Sequence, residues 1–311
     1  MKKKYYYGGN MIQNFDEMLD KVKNSPLKTI IIAAAHTVSA MDAAIMAYDL
    51  KLAKCILVGE LSIIKKYLHE KVPETASEYE VIDCGEDLNA AAEISVRLVK
   101  EKKADLIMKG LCDSGTLLKA ILDKDKGLRT NKIMSDVLAY ETPDKIMLMG
   151  DGGFIPLPDI TDKLSIIANC VQVAHALDNE LPRVAVLTHS ELVNVKNQST
   201  VDAAILNVMN KRGQIKGCIV DGPLAFDNAI SREAAQIKGI DSEVAGDADI
   251  LIVPNIEAGN IFGKSITYYC KYRVAHVVLG AKVPILIASR ADSAETKMLT
   301  MALGIITCNV S

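Results

Sequence analysis

The chain has 311 residues, with 36 Lys and Arg against 39 Asp and Glu, so its formal net charge is −3. Half of the residues are hydrophobic and 24% are charged, a balance typical of a folded chain of one large domain or two domains and unlike a disordered one. A charge this close to neutral excludes the strongly basic surface of a general nucleic-acid-binding protein.

Short apolar runs alternate with helical stretches in the first half of the chain. The strands are predicted at 29–35, 55–58, 81–83 and 104–108, and the helices at 40–48, 61–67, 89–102 and 114–122. This alternation predicts an α/β fold with a mostly parallel sheet covered by helices on both faces.

The same alternation restarts in the second half. Strands are predicted at 145–149, 183–187, 218–220, 249–253 and 282–288, and helices at 162–177, 201–210, 259–272 and 294–304. Residues 276–279 form a further short apolar run. The halves are similar in size, and the pattern alone places a domain boundary within 137–144. Ligands of such sheets bind beyond the carboxyl ends of the strands, so the loops after the strands are the candidate site.

The number and spacing of the cysteines and the composition of the amino terminus indicate the cellular compartment of the protein. Seven cysteines occur without a CxxC pair, which favours reduced thiols over a disulfide framework or a zinc ribbon. No charge-free apolar run reaches the ~18–20 residues that a membrane span needs. Residues 1–10 carry lysines with no apolar segment behind them, so we expect no signal peptide, with Met11 as an alternative start. These features predict a cytoplasmic protein.

One segment partly matches a nucleotide-binding loop. Gly259–Ser265 (GNIFGKS) resembles the end of a P-loop, but the first glycine of GxxxxGK[ST] would fall on Ala258. We therefore predict no nucleotide site, although Lys264 can still bind an anion. The five histidines are scattered, and neither a dinucleotide fingerprint nor a GxSxG nucleophile elbow is present.

The sharpest local feature is the segment 289–295 (SRADSAE), which follows a predicted strand and opens a helix. Asp292 or Ser293 is expected to cap that helix, with Glu295 in its first turn. Capping does not explain Arg290, because a cation is electrostatically unfavourable at a helix amino terminus. Its partner is an anion, either a carboxylate of the protein or a phosphate of a substrate.

Several segments together resemble the phosphate acetyl/butyryl transferase family. They are 254–261 (PNIEAGNI), 279–281 (LGA) and 289–293 (SRADS), with 109–110, Thr116, 127–130 (GLRT), 184–187, 193–194 and 200–203 upstream. The resemblance extends over about 11–304. The acetyl branch typically has SRGCS in place of SRADS, so the chain is more similar to the butyryl branch.

The resemblance implies reversible transfer of a short-chain acyl group, butyryl in this branch, between CoA and inorganic phosphate. The CoA thiolate attacks the acyl phosphate directly in a ternary complex. CoA is a substrate, and no metal or permanently bound cofactor is required. The resemblance also implies a homo-oligomer and a functional link to a butyrate kinase, and no nucleic-acid or membrane partner is expected.

The resemblance also implies a domain arrangement. Two α/β/α domains of the isocitrate dehydrogenase-like fold are expected, with the active cleft between them. The C-terminal strand and helix of that fold return to the first domain. The expected domains are therefore 1–140 with 284–311, and 141–283.

Single residues receive roles from the same resemblance. Ser289 matches a serine that interacts with the CoA thiol, and Arg290 matches an arginine that handles the phosphoryl group. Arg129 is the nearest match to a second phosphate-binding arginine, and Lys264 matches a lysine that contacts CoA. The further candidates for binding substrate or phosphate are Lys109, Thr116, Asn255, Glu257 and Asn260.

The residue that takes the thiol proton is a separate question. In the acetyl branch, the base lies six residues after the arginine that matches Arg290. The residue at that position in this chain is Thr296, which cannot act as a base. Glu295 is the expected replacement, with Asp292 as the alternative.

Three other functions fit parts of the sequence. An acetyl-specific or broad short-chain phosphotransacylase differs only in pocket volume, since one methylene is worth ~1–3 kcal/mol. A metal-dependent decarboxylating dehydrogenase of the same fold predicts a nicotinamide site and clustered aspartates, which the sequence does not show. A non-catalytic sensor of CoA or acyl phosphate would keep Arg290 and Lys264 without turnover.

Overall fold

A computed structural model of the protein describes residues 11–289 and 291–308. Within these residues the chain forms two compact units. Unit 1 contains residues 11–15 and 135–272, and unit 2 contains the described residues of 16–134 and 273–309. The domain division expected from the resemblance stays a prediction.

Strands and helices alternate along most of the described chain. The strands are β1 Lys28–Ala33, β2 Ala53–Gly59, β3 Glu80–Asp83, β4 Leu106–Lys109, β5 Ser135–Glu141, β6 Ile146–Gly150, β7 Arg183–Leu187, β8 Ile219–Leu224, β9 Ile250–Ile252, β10 Val274–Leu279 and β11 Ile285–Leu286. The helices are α1 Phe15–Lys23, α2 Val38–Asp49, α3 Leu61–Lys71, α4 Leu88–Lys100, α5 Ser114–Ile121, α6 Ile160–Ala176, α7 Gln198–Lys211, α8 Phe226–Ile230, α9 Arg232–Ile237, α10 Ile256–Ser265 and α11 Ala294–Cys308. Short helical turns occur at Ala76–Glu78 (3-10) and Ile266–Cys270 (π).

The strands of unit 2 are ordered β3-β2-β1-β4-β11-β10. All neighbours are parallel except β10 and β11, which are antiparallel with Val278 opposite Ile285. Four successive residues of β1, Ile30–Ala33, are buried, so helices cover both faces of this strand. Helix α11 packs against α2 and β10, and α4 packs against α5 and β1.

The strands of unit 1 are ordered β5-β6-β9-β7-β8. The pair β5 and β6 is antiparallel, and the other neighbours are parallel. Helix α6 packs against β5 and β6, and it begins with a capping box in which Asp159 and Asp162 each accept the other's backbone N–H. The predicted α/β class with a mostly parallel sheet is confirmed.

The structure differs from the prediction at several elements. Helices α1, α8 and α9 and strand β5 were not predicted, and the predicted strand 282–288 is only two residues long. The helix predicted at 259–272 begins at Ile256, ends at Ser265 and continues as the π turn. Helices α8 and α9 have only five and six residues, too short for a clear helical period. None of the helices in the described ranges is both long and apolar enough to cross a membrane.

Candidate active site

The Ser289 turn follows β11 and is held by its own polar groups. The backbone N–H of Ser289 donates to Asp292 Oδ2 at 2.7 Å, and the N–H of Asp292 donates to the Ser289 carbonyl at 3.2 Å. Ser293 caps α11, because its Oγ accepts the N–H of Thr296 at 3.1 Å. Arg290 lies outside the described residues. Asp292, the alternative base, therefore has one carboxylate oxygen committed to the turn.

Two buried lysines lie near this turn, one at the end of β4 and one in the first turn of α11. Lys109 is the last residue of β4, is 5% exposed and donates from Nζ to the Cys112 carbonyl at 3.4 Å. Lys297 on α11 is 3% exposed and donates to the carbonyls of Ser289 and Asp292 at 3.2 and 2.5 Å. These two bonds tie the start of α11 to the end of β11.

Burial lowers the pKa of Lys297 below its ordinary value of 10.5. The charge of Asp292 opposes that change, and the charge of Lys109 reinforces it. Lys297 was not among the site residues predicted from the sequence. The available signal was a lysine next to the apolar stretch 298–306, on a helix whose residues 297–307 are all buried.

The loop after β4 approaches the loop after β1 closely. The N–H groups of Gly110 and Leu111 donate to the carbonyls of Ala33 and Ala34, both at 2.8 Å. A Cβ on Gly110 would lie 2.2 Å from the Ala34 carbonyl oxygen, so only glycine fits there. This contact fixes the backbone that follows Lys109.

The expected base, Glu295, is exposed and ion-paired. Its Oε1 lies 3.2 Å from Nε of Arg273, whose Nη1 also contacts Asp16 Oδ1 at 3.1 Å. The carboxylate expected to take the thiol proton is therefore engaged by a guanidinium at the surface. The catalytic role of Glu295 stays a prediction.

The structure brings together two segments that are 150 residues apart. The Thr130 hydroxyl donates to the Gly280 carbonyl, and the Lys282 N–H donates to the Leu128 carbonyl at 2.9 Å. Gly280 has φ +104°, a conformation that side-chain-bearing residues rarely adopt. The loop that carries the exposed Arg129 is thereby fixed beside the end of β10.

Thr116 lies in the first turn of α5, where its hydroxyl donates to Asp113 Oδ2 at 2.7 Å. It also lines a cavity of about 840 Å³ between α4 and α5. Lys100, Lys119 and Lys126 line the same cavity. The Thr116 hydroxyl is therefore already used by the helix cap, and its predicted role in substrate binding stays a prediction.

In unit 1, three helices begin at one cavity of about 830 Å³. The caps of these helices line it: Asp159 for α6, Asn197 for α7 and Asn255 for α10. Asn255 Oδ1 accepts the Ala258 N–H at 2.9 Å. The cavity also contacts a buried ion pair, Lys163 Nζ to Asp202 Oδ2 at 2.6 Å. The helix amino termini make this a polar, partly positive environment.

The other candidates of unit 1 lie along α10. Asn260 is exposed, and its Nδ2 donates to the Gly152 carbonyl at 3.4 Å. Glu257 and Lys264 are exposed, and Lys264 Nζ lies 5.9 Å from the centre of the Tyr268 ring. Of these α10 candidates, Asn255 alone is among the residues that line the cavity. The predicted substrate contacts of the other three stay predictions.

A buried carboxylate follows β6. Asp151 is 2% exposed and accepts the N–H groups of Gly153 and Ile155 at 3.0 and 2.9 Å. Burial, and then the nearby charge of Asp136, raise the pKa of Asp151 to about 6. No role was predicted for this aspartate from the sequence.

Two further observations concern cofactors and thiols. Within residues 11–289 and 291–308, no group of three or more His, Cys, Asp or Glu side chains is arranged to hold a metal ion. All seven cysteines fall in these ranges and are free thiols.

Comparison with known proteins gives one consistent result. The family model described as phosphate acetyl/butaryl transferase matches residues 76–305. A phosphate butyryltransferase of Clostridium beijerinckii is 44% identical over 299 residues, covering 94% of this chain and 97% of that protein. A phosphate acetyltransferase of Thermotoga maritima is 41% identical over 294 residues, covering 94% and 99%.

A solved structure agrees with these relatives. The branched-chain phosphotransacylase of Enterococcus faecalis V583 is similar with a TM-score of 0.80 and 28% identity, covering 91% of this chain and 99% of that one. The matched region contains most of the residues described above, including the Ser289 turn.

Proposed function

Because the chain belongs to the phosphate acetyl/butaryl transferase family, it is a phosphotransacylase, and we propose that its acyl substrate is butyryl-CoA. The SRADS form of the Ser289 turn supports the butyryl branch, as does the 44% identity to a phosphate butyryltransferase. A phosphate acetyltransferase at 41% identity is the reason to test acetyl-CoA beside it.

The proposed reaction is direct acyl transfer between CoA and phosphate. In one direction the CoA thiol, with an ordinary pKa near ~8.5, loses its proton. The thiolate attacks the carbonyl carbon of the acyl phosphate, a C–S bond forms, and the C–O bond to the phosphoryl group breaks. Phosphate leaves with the electron pair of that bond, and the thiol proton is carried by the phosphate at neutral pH.

The site residues divide this work. Ser289 orients the thiol through its hydroxyl, and Arg290 and Arg129 carry the negative charge of the phosphoryl group. Glu295, with Asp292 as the alternative, accepts the thiol proton and passes it to the departing phosphate. Lys264 contacts CoA. The observation that carries the proposal is the Ser289 turn, whose backbone is held by Asp292 and by the buried Lys297.

The test is phosphate-dependent release of CoA from butyryl-CoA, measured with a thiol reagent. Acetyl-CoA is assayed in parallel, and a reaction without phosphate is the control. Faster release with butyryl-CoA than with acetyl-CoA supports the proposal. Faster release with acetyl-CoA refutes the butyryl assignment, and no phosphate-dependent release from either refutes phosphorolysis itself.

A further inference from the structure

Lys297 is an unusual buried cation. Its side chain is 3% exposed, and its described hydrogen-bond acceptors are two backbone carbonyls, of Ser289 and Asp292. Within the described residues no carboxylate lies within ion-pair distance of its Nζ. Buried ammonium groups are usually paired with an anion, because an unpaired buried charge is costly.

The carboxylate of Asp292, whose charge acts on Lys297, is hydrogen-bonded to the backbone rather than to the Lys297 ammonium. Asp292 Oδ2 accepts the N–H of Ser289 at 2.7 Å, so this oxygen stabilises the turn. Its charge favours the protonated form of Lys297, but burial dominates, and the pKa of Lys297 stays below its ordinary value. Among residues 11–289 and 291–308, the partners of Lys297 therefore leave its charge incompletely compensated.

A second buried ammonium lies beside it. Lys109 ends β4, which pairs in parallel with β11 so that Met108 is opposite Leu286. The Ser289 turn follows three residues after Leu286, and Lys297 donates to that turn. The charge of Lys109 lowers the pKa of Lys297, as expected for a neighbouring cation. Lys109 thus lies at the carboxyl end of β4, and Lys297 is bonded to the turn that follows the adjacent β11, at the sheet edge where ligands of parallel sheets bind.

We propose that Lys297 and Lys109 form an anion-binding pair that takes the phosphate group of inorganic phosphate or of the acyl phosphate beside Ser289. This inference rests on the proposed function for the identity of the anion. A dianion beside the pair is attracted by both ammonium groups. Charge-assisted hydrogen bonds from ammonium groups to phosphate oxygens are among the stronger polar contacts in proteins.

The first test measures phosphate binding without catalysis. The thermal unfolding midpoint of the protein is measured with increasing inorganic phosphate, at constant ionic strength and without CoA or acyl-CoA. A ligand that binds only the folded state raises this midpoint. We expect phosphate to raise it in the wild type and in Lys66→Met, which removes an exposed lysine of α3 in the same unit. Lys297→Met and Lys109→Met should each lose the response.

The second test separates phosphate binding from positioning of the turn. In phosphorolysis of butyryl-CoA, Lys297→Met should raise KM for phosphate by roughly tenfold or more while KM for butyryl-CoA changes little, as expected for a lost ground-state contact. Lys297→Arg, which keeps the charge, should recover part of the phosphate affinity. A variant that lowers kcat alone, or raises both KM values equally, would overturn the proposal.

The two tests distinguish this proposal from the proposed function. If no acyl transfer is found but phosphate raises the unfolding midpoint through both lysines, the anion site stands and the acyl assignment fails. If transfer occurs while Lys297→Met keeps the wild-type response to phosphate, the site is wrong and the enzyme assignment stands. Should Lys297→Met fail to fold, an unchanged phosphate response of Lys109→Met refutes the pair by itself.

Discussion

The buried carboxyl of Asp151 predicts an unusual dependence of stability on pH. Its pKa is about 6 in the folded protein, against an ordinary value of 3.8, chiefly because burial disfavours the charged form. Between these values the folded protein binds more protons at this site than the unfolded chain does. The contribution of Asp151 to the free energy of unfolding is therefore fully present below about pH 4 and is lost as the pH rises through about 6.

The expected size follows from the two pKa values. A change from 3.8 to about 6, at 1.36 kcal/mol per pH unit, corresponds to about 3 kcal/mol. Asp151→Asn removes the titrating group and keeps an oxygen that can accept the N–H groups of Gly153 and Phe154. Between about pH 4 and 7, the free energy of unfolding of the wild type should therefore fall by about 3 kcal/mol relative to that of this variant.

The assay is urea unfolding of both proteins at a series of pH values, followed by circular dichroism and extrapolated linearly to water. All other titrating groups are shared, so their contributions cancel in the difference. Asp144→Asn, in the exposed turn between β5 and β6, measures the effect of removing a surface carboxylate. Asp136→Asn should narrow the pH range over which this stability is lost, because the charge of Asp136 is the second cause of the raised pKa of Asp151. A wild-type free energy of unfolding that stays constant relative to that of Asp151→Asn, or rises relative to it with increasing pH, would refute this interpretation of the Asp151 environment.

Three further predictions concern stability, turnover and thiol reactivity. Lys163→Met should lower the free energy of unfolding by roughly 3–5 kcal/mol, because it leaves the buried Asp202 without its ion-pair partner. The double variant Lys163→Met with Asp202→Leu should lose much less, and equal losses of the two variants in urea unfolding would contradict this. Arg290→Ala should slow phosphate-dependent CoA release by about 10²–10³ without loss of folding, with Lys66→Met as the matched control; unchanged turnover would remove Arg290 from the site. Iodoacetamide should modify the exposed Cys270 first, while Cys55 and Cys170, buried thiols with raised pKa values, react only on unfolding; early loss of either of these by mass spectrometry would show that the buried thiols are accessible.

Much of the fold was predictable because parallel strands buried on both faces form continuous apolar runs. The segments that contain β1, β2 and β4 are of this kind, and each was predicted from its apolar residues. Strand β5 was missed because its sequence, SDVLAYE, mixes polar and apolar residues and pairs with β6 across a turn of local hydrogen bonds. Whether such a segment forms a strand depends on the strand with which it pairs, and the sequence of the segment alone does not show that partner.

The candidate site was predictable to the extent that its residues fall in contiguous motifs. Ser289 and Asp292 are adjacent to one another in a turn, so capping rules and the resemblance both identify that segment. Lys109 and Lys297 are 188 positions apart, and only the pairing of β4 with β11 and the packing of α11 bring them to the same strand ends. A periodic pattern predicts that a helix position is buried, but not which chemical group meets it there.

The contrast between Glu295 and Lys297 shows why placement decides between chemically reasonable candidates. On the sequence Glu295 is the better catalytic candidate, because a carboxylate can accept a proton and an interior lysine suggests only a disfavoured charge. The structure pairs Glu295 with Arg273 at the surface and buries Lys297 against the backbone of the Ser289 turn. The ammonium is fixed by two carbonyls and has no ion-pair partner in the described part of the chain, so it is oriented before any ligand arrives. A group held in this way gains more from an incoming dianion than an exposed side chain does, because less of its charge is already compensated by water.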